Sequence, residues 1–275
     1  MVSSKVAAFF LQEKNGKLFL NLMDYMRYSH GSPLEKQKYM PIDQEHLISR
    51  ILFEDNHLIV VNKMPSEIVQ GDKTGDQPLV EAVKEYIAQK YQKPGKVFLG
   101  VVHRIDRPTS GLVIFARTSK ALARLNEMLK NRDISKKYWA VVKNAPSEME
   151  GRLTHYLRKN EKQNKSYVVN PEAPGAKKAE LLFKVLTRGD HYTLVELELL
   201  TGRHHQIRAQ FAALGCPIKG DLKYGADRSN PDGSIHLHAR ELCFVHPVKK
   251  ERISLSAPVP EEGLWQFFEK SMQGQ

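Results

Sequence analysis

Residues 51–61 most constrain how this chain can fold. Two short apolar runs, Ile51 to Phe53 and Leu58 to Val61, are separated by Asp55-Asn56, residues that favour a tight turn. That pattern is a strand, a turn and a returning strand, and the grouping recurs. Leu99 to Val102 and Leu112 to Ala116 read as strands on either side of the segment His103 to Gly111. Tyr138 to Val142, Leu181 to Leu186, Tyr192 to Leu200, Ile235 to Phe244 and Ile253 to Leu255 read the same way. Strands that follow one another, without a helix between each pair, specify an α+β fold with a mixed, largely antiparallel central sheet and flanking helices.

The helices are recognised by a different period. Behind Asp76 and Pro78, the residues Leu79, Val80, Val83, Tyr86, Ile87 and Tyr91 share one helical face. Ser119 stands where it can cap a helix carrying Leu122, Leu125, Met128 and Leu129. A helix is expected from Arg203 to Leu214, with Ile207, Phe211 and Leu214 inward and Gly215 at its end. A short C-terminal helix is expected to include Leu264, Phe267 and Phe268. Residues 1–47, with their Gly-broken basic stretch and a polar run from Gly31 to Lys38, read as an appended segment before a main domain spanning 48–275.

Charge narrows the function. Lys and Arg number 42 against 31 Asp and Glu, a formal net charge of +11. Such an excess suits a polyanionic partner, because basic side chains that neutralise phosphates release condensed counterions. No run approaches the roughly 20 apolar residues needed to span a bilayer, and Val6 to Leu11 is shorter than a secretory core. Cys216 and Cys243 form neither a CxxC pair nor a disulfide framework. A cytoplasmic protein is expected.

Three stretches carry chemistry. In His103 to Gly111, Asp106 lies between Arg104 and Arg107, and flanking cations favour the ionised form that a nucleophile or base requires. In Thr201 to Arg208, Arg203, Gln206 and Arg208 open the expected helix, where a guanidinium fork can grip a phosphate or a carboxylate. In Lys136 to Val142, Tyr138 follows two lysines; alternation makes it either a stacking platform or a core residue. Taken singly, each stretch also reads as ordinary surface or core. Neither Gly-Lys neighbourhood makes a Walker loop, Ser110 lacks the leading Gly of a nucleophile elbow, and His236, His238 and His246 lack metal-ligand spacing, so no metal is expected.

In order, these stretches resemble the RluA-type pseudouridine synthases of large-subunit rRNA and tRNA. His103 to Arg117 is similar to the family's catalytic segment and Lys137 to Val141 to its tyrosine strand. Gly202 to Arg208, with Leu214 to Asp221 and Tyr224-Gly225, is similar to its third motif, and Leu237 to Pro247 to a further segment. The likeness runs from about Ile51 to Pro258. It implies a pseudouridine-synthase-like catalytic domain that needs no cofactor or metal and acts on structured rRNA or tRNA; independently of the resemblance, a monomer is the default expectation. It further implies that Asp106 is the catalytic aspartate, Tyr138 stacks on the uracil and Arg208 pairs with Asp106. Arg104 would hold or displace the target nucleotide, and Arg107, Lys136, Lys137 and Arg203 would contact RNA. The chain departs from the pattern in three places: Met64-Pro-Ser66 follows Asn62-Lys63 where Pro and then Gly are usual, His204 replaces a small hydroxyl residue, and Ile105 replaces Leu. The first 47 residues are not similar to the S4-type RNA-binding module. A non-catalytic RNA-binding or ribosome-assembly factor on the same fold is the alternative reading.

Overall fold

The structure, a computed structural model, describes residues 11–14, 17–20 and 41–273. Two compact units divide at Met40 and Pro41. In the first, strands β1 (Leu11–Lys14) and β2 (Lys17–Leu20) pair antiparallel. The polar run from Gly31 to Lys38 lies outside the described residues.

The second unit is built on one eleven-stranded sheet. Its elements are α1 (Gln44–Ser49), β3 (Ile51–Glu54), β4 (Leu58–Lys63), α2 (Leu79–Lys90), β5 (Gly100–Val101), β6 (Ser110–Ala116), α3 (Ser119–Asn131) and β7 (Ser135–Lys143). There follow β8 (Glu150–Asn160), β9 (Lys165–Val169), β10 (Lys177–Arg188), β11 (Tyr192–Leu199), α4 (Gln206–Ala213), β12 (Leu237–Val245), β13 (Arg252–Ser256) and α5 (Gly263–Gln273). The strand order is β3-β4-β6-β12-β7-β11-β10-β8-β9, with β5 added to β6 and β13 to β12. The order separates chain neighbours: β12 comes late in the sequence yet lies between β6 and β7.

The β6–β12 pair is the one parallel joint; every other pairing in this sheet is antiparallel. It aligns Ser110 with His238 and Gly111 with Ala239. The strands approach so closely there that a Cβ on Gly111 would lie within 2.7 Å of three backbone atoms of Ala239, and its φ is +113°. Only glycine fits that position. The joint is further held by Ser110 Oγ and His238 Nδ1, 2.8 Å apart. The segment carrying Asp106 enters the sheet here, and Ile235 donates its N–H to the Pro108 carbonyl at 3.1 Å.

Alternation along β7 divides the core. Tyr138, Ala140 and Val142 pack with Phe183, Leu197, Ile207 and Phe211, whereas Trp139 and Val141 pack with Trp265 and Phe268 of α5 on the other face. Several expectations need adjustment. Thr118, not Ser119, caps α3, its Oγ1 accepting the Ala121 N–H at 3.1 Å. Helix α4 starts at Gln206 rather than Arg203, because His205 takes a left-handed φ of +52° that a helix cannot continue through. Leu214, expected inward, is 39% exposed. Strands β8 and β9 have no counterpart in the sequence reading. They form a ribbon at the sheet edge in which only Leu157 and Ser166 are buried, too few apolar residues to produce a legible alternation.

Candidate active site

The site is assembled from three chain segments that meet beside the parallel joint. The 102–109 loop presents Asp106, the 201–208 segment presents His205 and Arg208, and the turn after α4 presents Asp221 and Tyr224. They border a cleft of about 1170 Å³ in which eight Lys and Arg residues face two carboxylates, Asp72 and Asp106. That balance favours an anionic ligand.

Arg208 organises the centre. Its Nε and Nη2 donate to the two carboxylate oxygens of Asp221 at 2.7 and 2.8 Å, and its Nη1 donates to Asp106 Oδ2 at 3.0 Å. Asp221 is 1% exposed and Arg208 5%, so the fork is fixed in orientation before Asp106 is engaged. Burial opposes the guanidinium charge, but the hydrogen bonds and charges of Asp221 and Asp106 outweigh it and hold the pKa above the usual arginine value. The ring of Tyr224 covers the guanidinium, with its centroid 5.0 Å away.

His205 is the second group directed at the aspartate, its Nε2 lying 3.6 Å from Asp106 Oδ2. The tautomer follows from its neighbours. Tyr224 Oη accepts the Ser166 N–H at 2.8 Å and lies 3.0 Å from His205 Nδ1. The Asp106 carboxylate beside Nε2 can only accept, which favours the imidazole proton on Nε2 and leaves Nδ1 to accept the phenolic proton of Tyr224. Burial pushes His205 down to about 3 and Tyr224 up to about 12, so both are neutral near pH 7. His204 stacks on His205 at 3.8 Å and reaches Ser166 Oγ and Asn164 Oδ1, at 2.9 and 3.1 Å. It therefore ties the β8–β9 turn to the site.

Tyr138 lines the cleft and is 7% exposed. Its side chain belongs to the buried cluster with Phe183, Leu197 and Phe211 and also lines the cleft. Burial, then the charge of Asp106, raises its hydroxyl well above the ordinary tyrosine value.

The loop bearing Asp106 is pinned from below by Lys63, which is fully buried at the end of β4. Its ammonium donates to the carbonyls of Met64, Glu67 and Arg107 at 2.7, 2.9 and 3.1 Å. Ser66 adds a second donor to Arg107 O at 2.9 Å. Burial pushes the Lys63 ammonium down to about 7; three carbonyl acceptors favour its charged form. Ser66 itself has φ +70°, a left-handed conformation costing about 1 kcal/mol for a residue with a Cβ. Glu67 braces this turn: it takes the Arg50 fork at 2.8 and 2.9 Å and accepts the Met64 N–H at 2.9 Å. The departure Met64-Pro-Ser66 is thus accommodated by neighbouring ion pairing.

The expected RNA contacts are not all alike. Arg104, Arg107, Lys136 and Arg203 line the cleft. Arg107 is drawn aside by Asp76 and Thr74, at 2.5 and 3.3 Å, so the counter-charge of Asp106 is Arg208 and not the arginine that follows it. Lys137 does not line the cleft; alternation puts it on the opposite face of β7, where it pairs with Glu196 at 3.0 Å. His103 is no free base, since its Nε2 accepts the Ile114 N–H at 3.2 Å and burial pushes it down to about 3. Sequence reasoning did not assign roles to Lys63, Glu67, His205, Asp221 or Tyr224. The last two lay in the quoted Leu214 to Gly225 stretch, but their contact with Arg208 depends on tertiary folding.

A model of the family described as "RNA pseudouridylate synthase" matches residues 57–213. Among curated proteins, the "Uncharacterized RNA pseudouridine synthase YlyB" of Bacillus subtilis is 35% identical over 215 residues, 77% of this chain and 69% of that protein. The "Ribosomal large subunit pseudouridine synthase D" of Zymomonas mobilis is 32% identical over 223 residues, 77% of this chain and 69% of its own length. The solved structure of "Human RNA Pseudouridylate Synthase Domain Containing 4" superposes with a TM-score of 0.68 at 23% identity, covering 84% of this chain and 95% of that one; it is a likeness of fold. No helix among the described residues is long and apolar enough to cross a membrane.

Proposed function

The chain belongs to the RNA pseudouridylate synthase family, and from that premise we propose that it isomerises a specific uridine of large-subunit rRNA or tRNA with Asp106 as the reacting carboxylate. The enzyme is an isomerase acting on RNA. Its reaction breaks the N1–C1′ bond, turns the base, and joins C5 to C1′; the proton lost from C5 is balanced by the one gained at N1.

The observation that carries the assignment is the asymmetry of Asp106. Arg208 and His205 both address Oδ2, and among the described residues no side chain donates to Oδ1. One oxygen is therefore held while the other keeps its lone pairs for the sugar, whether it attacks C1′ or removes the C2′ proton. The fixed Arg208 charge compensates the negative charge without any reorganisation at the moment of reaction.

Tyr138 stacks on the uracil and, as a neutral phenol, places no charge against the turning base. Arg104, an exposed cation at the cleft, contacts the target nucleotide or the phosphates beside it. A uridine that reaches Asp106 must leave its stack at a cost of a few kcal/mol, which phosphate contacts offset. The protein works as a monomer and, given the relative from Zymomonas mobilis, large-subunit rRNA is the first substrate to test. Pseudouridine mapping by carbodiimide–reverse-transcriptase stops on RNA from cells lacking the protein tests the whole reading. One or a few sites should be lost, then restored by wild type and not by Asp106→Ala. An unchanged map would sink it.

A further inference from the structure

A second, smaller groove of about 280 Å³ opens off the cleft between the end of α3, the start of β7 and the 199–203 turn. Cleft and groove share Leu129, Lys130, Lys136, Leu199, Gly202 and Arg203, so a ligand can pass continuously from one to the other. Its volume equals roughly nine waters' share of liquid, more than one small ion occupies.

Four cations line this groove: Lys130, Arg132, Lys136 and Arg203. The single carboxylate on its wall, Glu198, accepts from Ser135 Oγ at 3.1 Å. Among the described residues, Lys130, Arg132 and Lys136 have no ion pair and no side-chain hydrogen bond, and Arg203 commits only Nε, to the Lys178 carbonyl at 2.9 Å. Cations in a last helical turn commonly complement the helix dipole. That explains Lys130 and Arg132 but not Lys136 and Arg203, which reach the groove from a strand and a turn. Arg132 also holds a left-handed φ of +67° where glycine would be free of strain. Burial lowers the pKa of the Lys136 ammonium, a cost that an entering anion would relieve.

We propose that this groove is a phosphate-binding branch of the active-site cleft, holding a backbone phosphodiester of the RNA strand beside the target uridine. The proposal rests on the reading of the chain as an RNA-modifying enzyme and assigns it a second point of grip. An RNA strand is favoured over a free anion because the groove is continuous with the cleft that receives the uridine.

The test uses the full chain and large-subunit rRNA transcribed in vitro. Wild type, the exposed-site double variant Lys130→Ala/Arg132→Ala, and Lys84→Ala, which lies outside both cavities, are compared for RNA affinity from low to moderate salt. The double variant should bind about 10-fold more weakly near 0.1 M salt, and its log–log salt slope should fall by about 0.7–0.9 for each phosphate that it no longer neutralises. Lys84→Ala should keep the wild-type slope. Phosphate-ethylation interference should show one or two phosphates whose modification blocks wild type but not the double variant. An unchanged slope overturns the proposal. So does competition by inorganic phosphate at constant ionic strength with no phosphate relieved in the variant, which would mark a free-anion site. Absence of pseudouridine formation by wild type would instead count against the functional reading for that RNA, while the salt slope still decides the groove.

Discussion

Asp221 accepts both Nε and Nη2 of Arg208, at 2.7 and 2.8 Å. A guanidinium clamped on one edge by a buried carboxylate can present its remaining nitrogen in one direction only, and that direction is Asp106. The preceding helix turn, with His205 left-handed at its start, sets the position of the fork. The geometry converts a mobile surface ion pair into a fixed donor to Asp106, the proposed reacting group.

Arg208→Lys keeps the charge but cannot bridge two carboxylates. The rate of pseudouridine formation in single turnover should fall at least 100-fold, while RNA affinity changes less than threefold. Stability should drop by about 3 kcal/mol, because Asp221 loses its fork while buried. Urea unfolding checks the second point; a variant with wild-type rate would remove Arg208 from the chemistry.

Replacing His205 separates hydrogen bonding from packing. Gln can present an N–H near the position of Nε2, whereas Leu fills space alone. His205→Leu should lower kcat about threefold, since at 3.6 Å the imidazole N–H is a polar contact to the Asp106 carboxylate and not a full hydrogen bond, with KM little altered. His205→Gln should recover much of that loss. Equal rates for Gln and Leu would show that His205 acts by packing.

Gly111→Ala tests the parallel joint. The new Cβ would meet backbone atoms of Ala239 within 2.7 Å, and φ is +113°. Neither conflict can be relieved by a side-chain rotation. Destabilisation of at least about 3 kcal/mol is expected, read as a fall in urea midpoint or as insoluble expression.

Acid should weaken the fold below pH 6.5. Burial pushes both His205 and His238 down to about 3, and each is neutral and hydrogen-bonded in the folded chain. When pH falls through 6.5, the unfolded chain takes up these protons and the folded chain does not, so the stability contributed by the neutral forms is lost progressively down to about pH 3. At pH 5 each histidine would account for up to about 2 kcal/mol. A thermal midpoint that is flat from pH 7 to 5 would contradict this. His238→Asn, if it folds, should flatten the acid limb in part.

Much of this protein is determined by local sequence. Continuous apolar runs in residues 58–61 and 138–142 suffice for strands buried on both faces, and alternation in 192–199 suffices for β11. The Asp106, Tyr138 and Arg208 stretches are also present in the sequence, but it is their order, and not any one of them, that makes them legible. The edge ribbon β8–β9 was not, since it buries little apolar surface and is held by polar links to Tyr224 and His204. Nor was the boundary of α4, which depends on a single left-handed residue.

What tertiary structure alone decides is which charges meet. Asp106 has arginines two positions before and one after it in the chain, yet its partner is 102 residues away, and Arg107 turns to Asp76 instead. Lys136 and Lys137 are adjacent in sequence and identical in chemistry, but the pleat sends one to the cleft and the other to Glu196. Propensity and periodicity act over a few residues, whereas electrostatic pairing depends on distances in space. The β7–β11 register brings Glu196 to Lys137 and Asp221 fixes the Arg208 fork, while the β6–β12 joint holds the loop of Asp106, Ile235 donating its N–H to the Pro108 carbonyl.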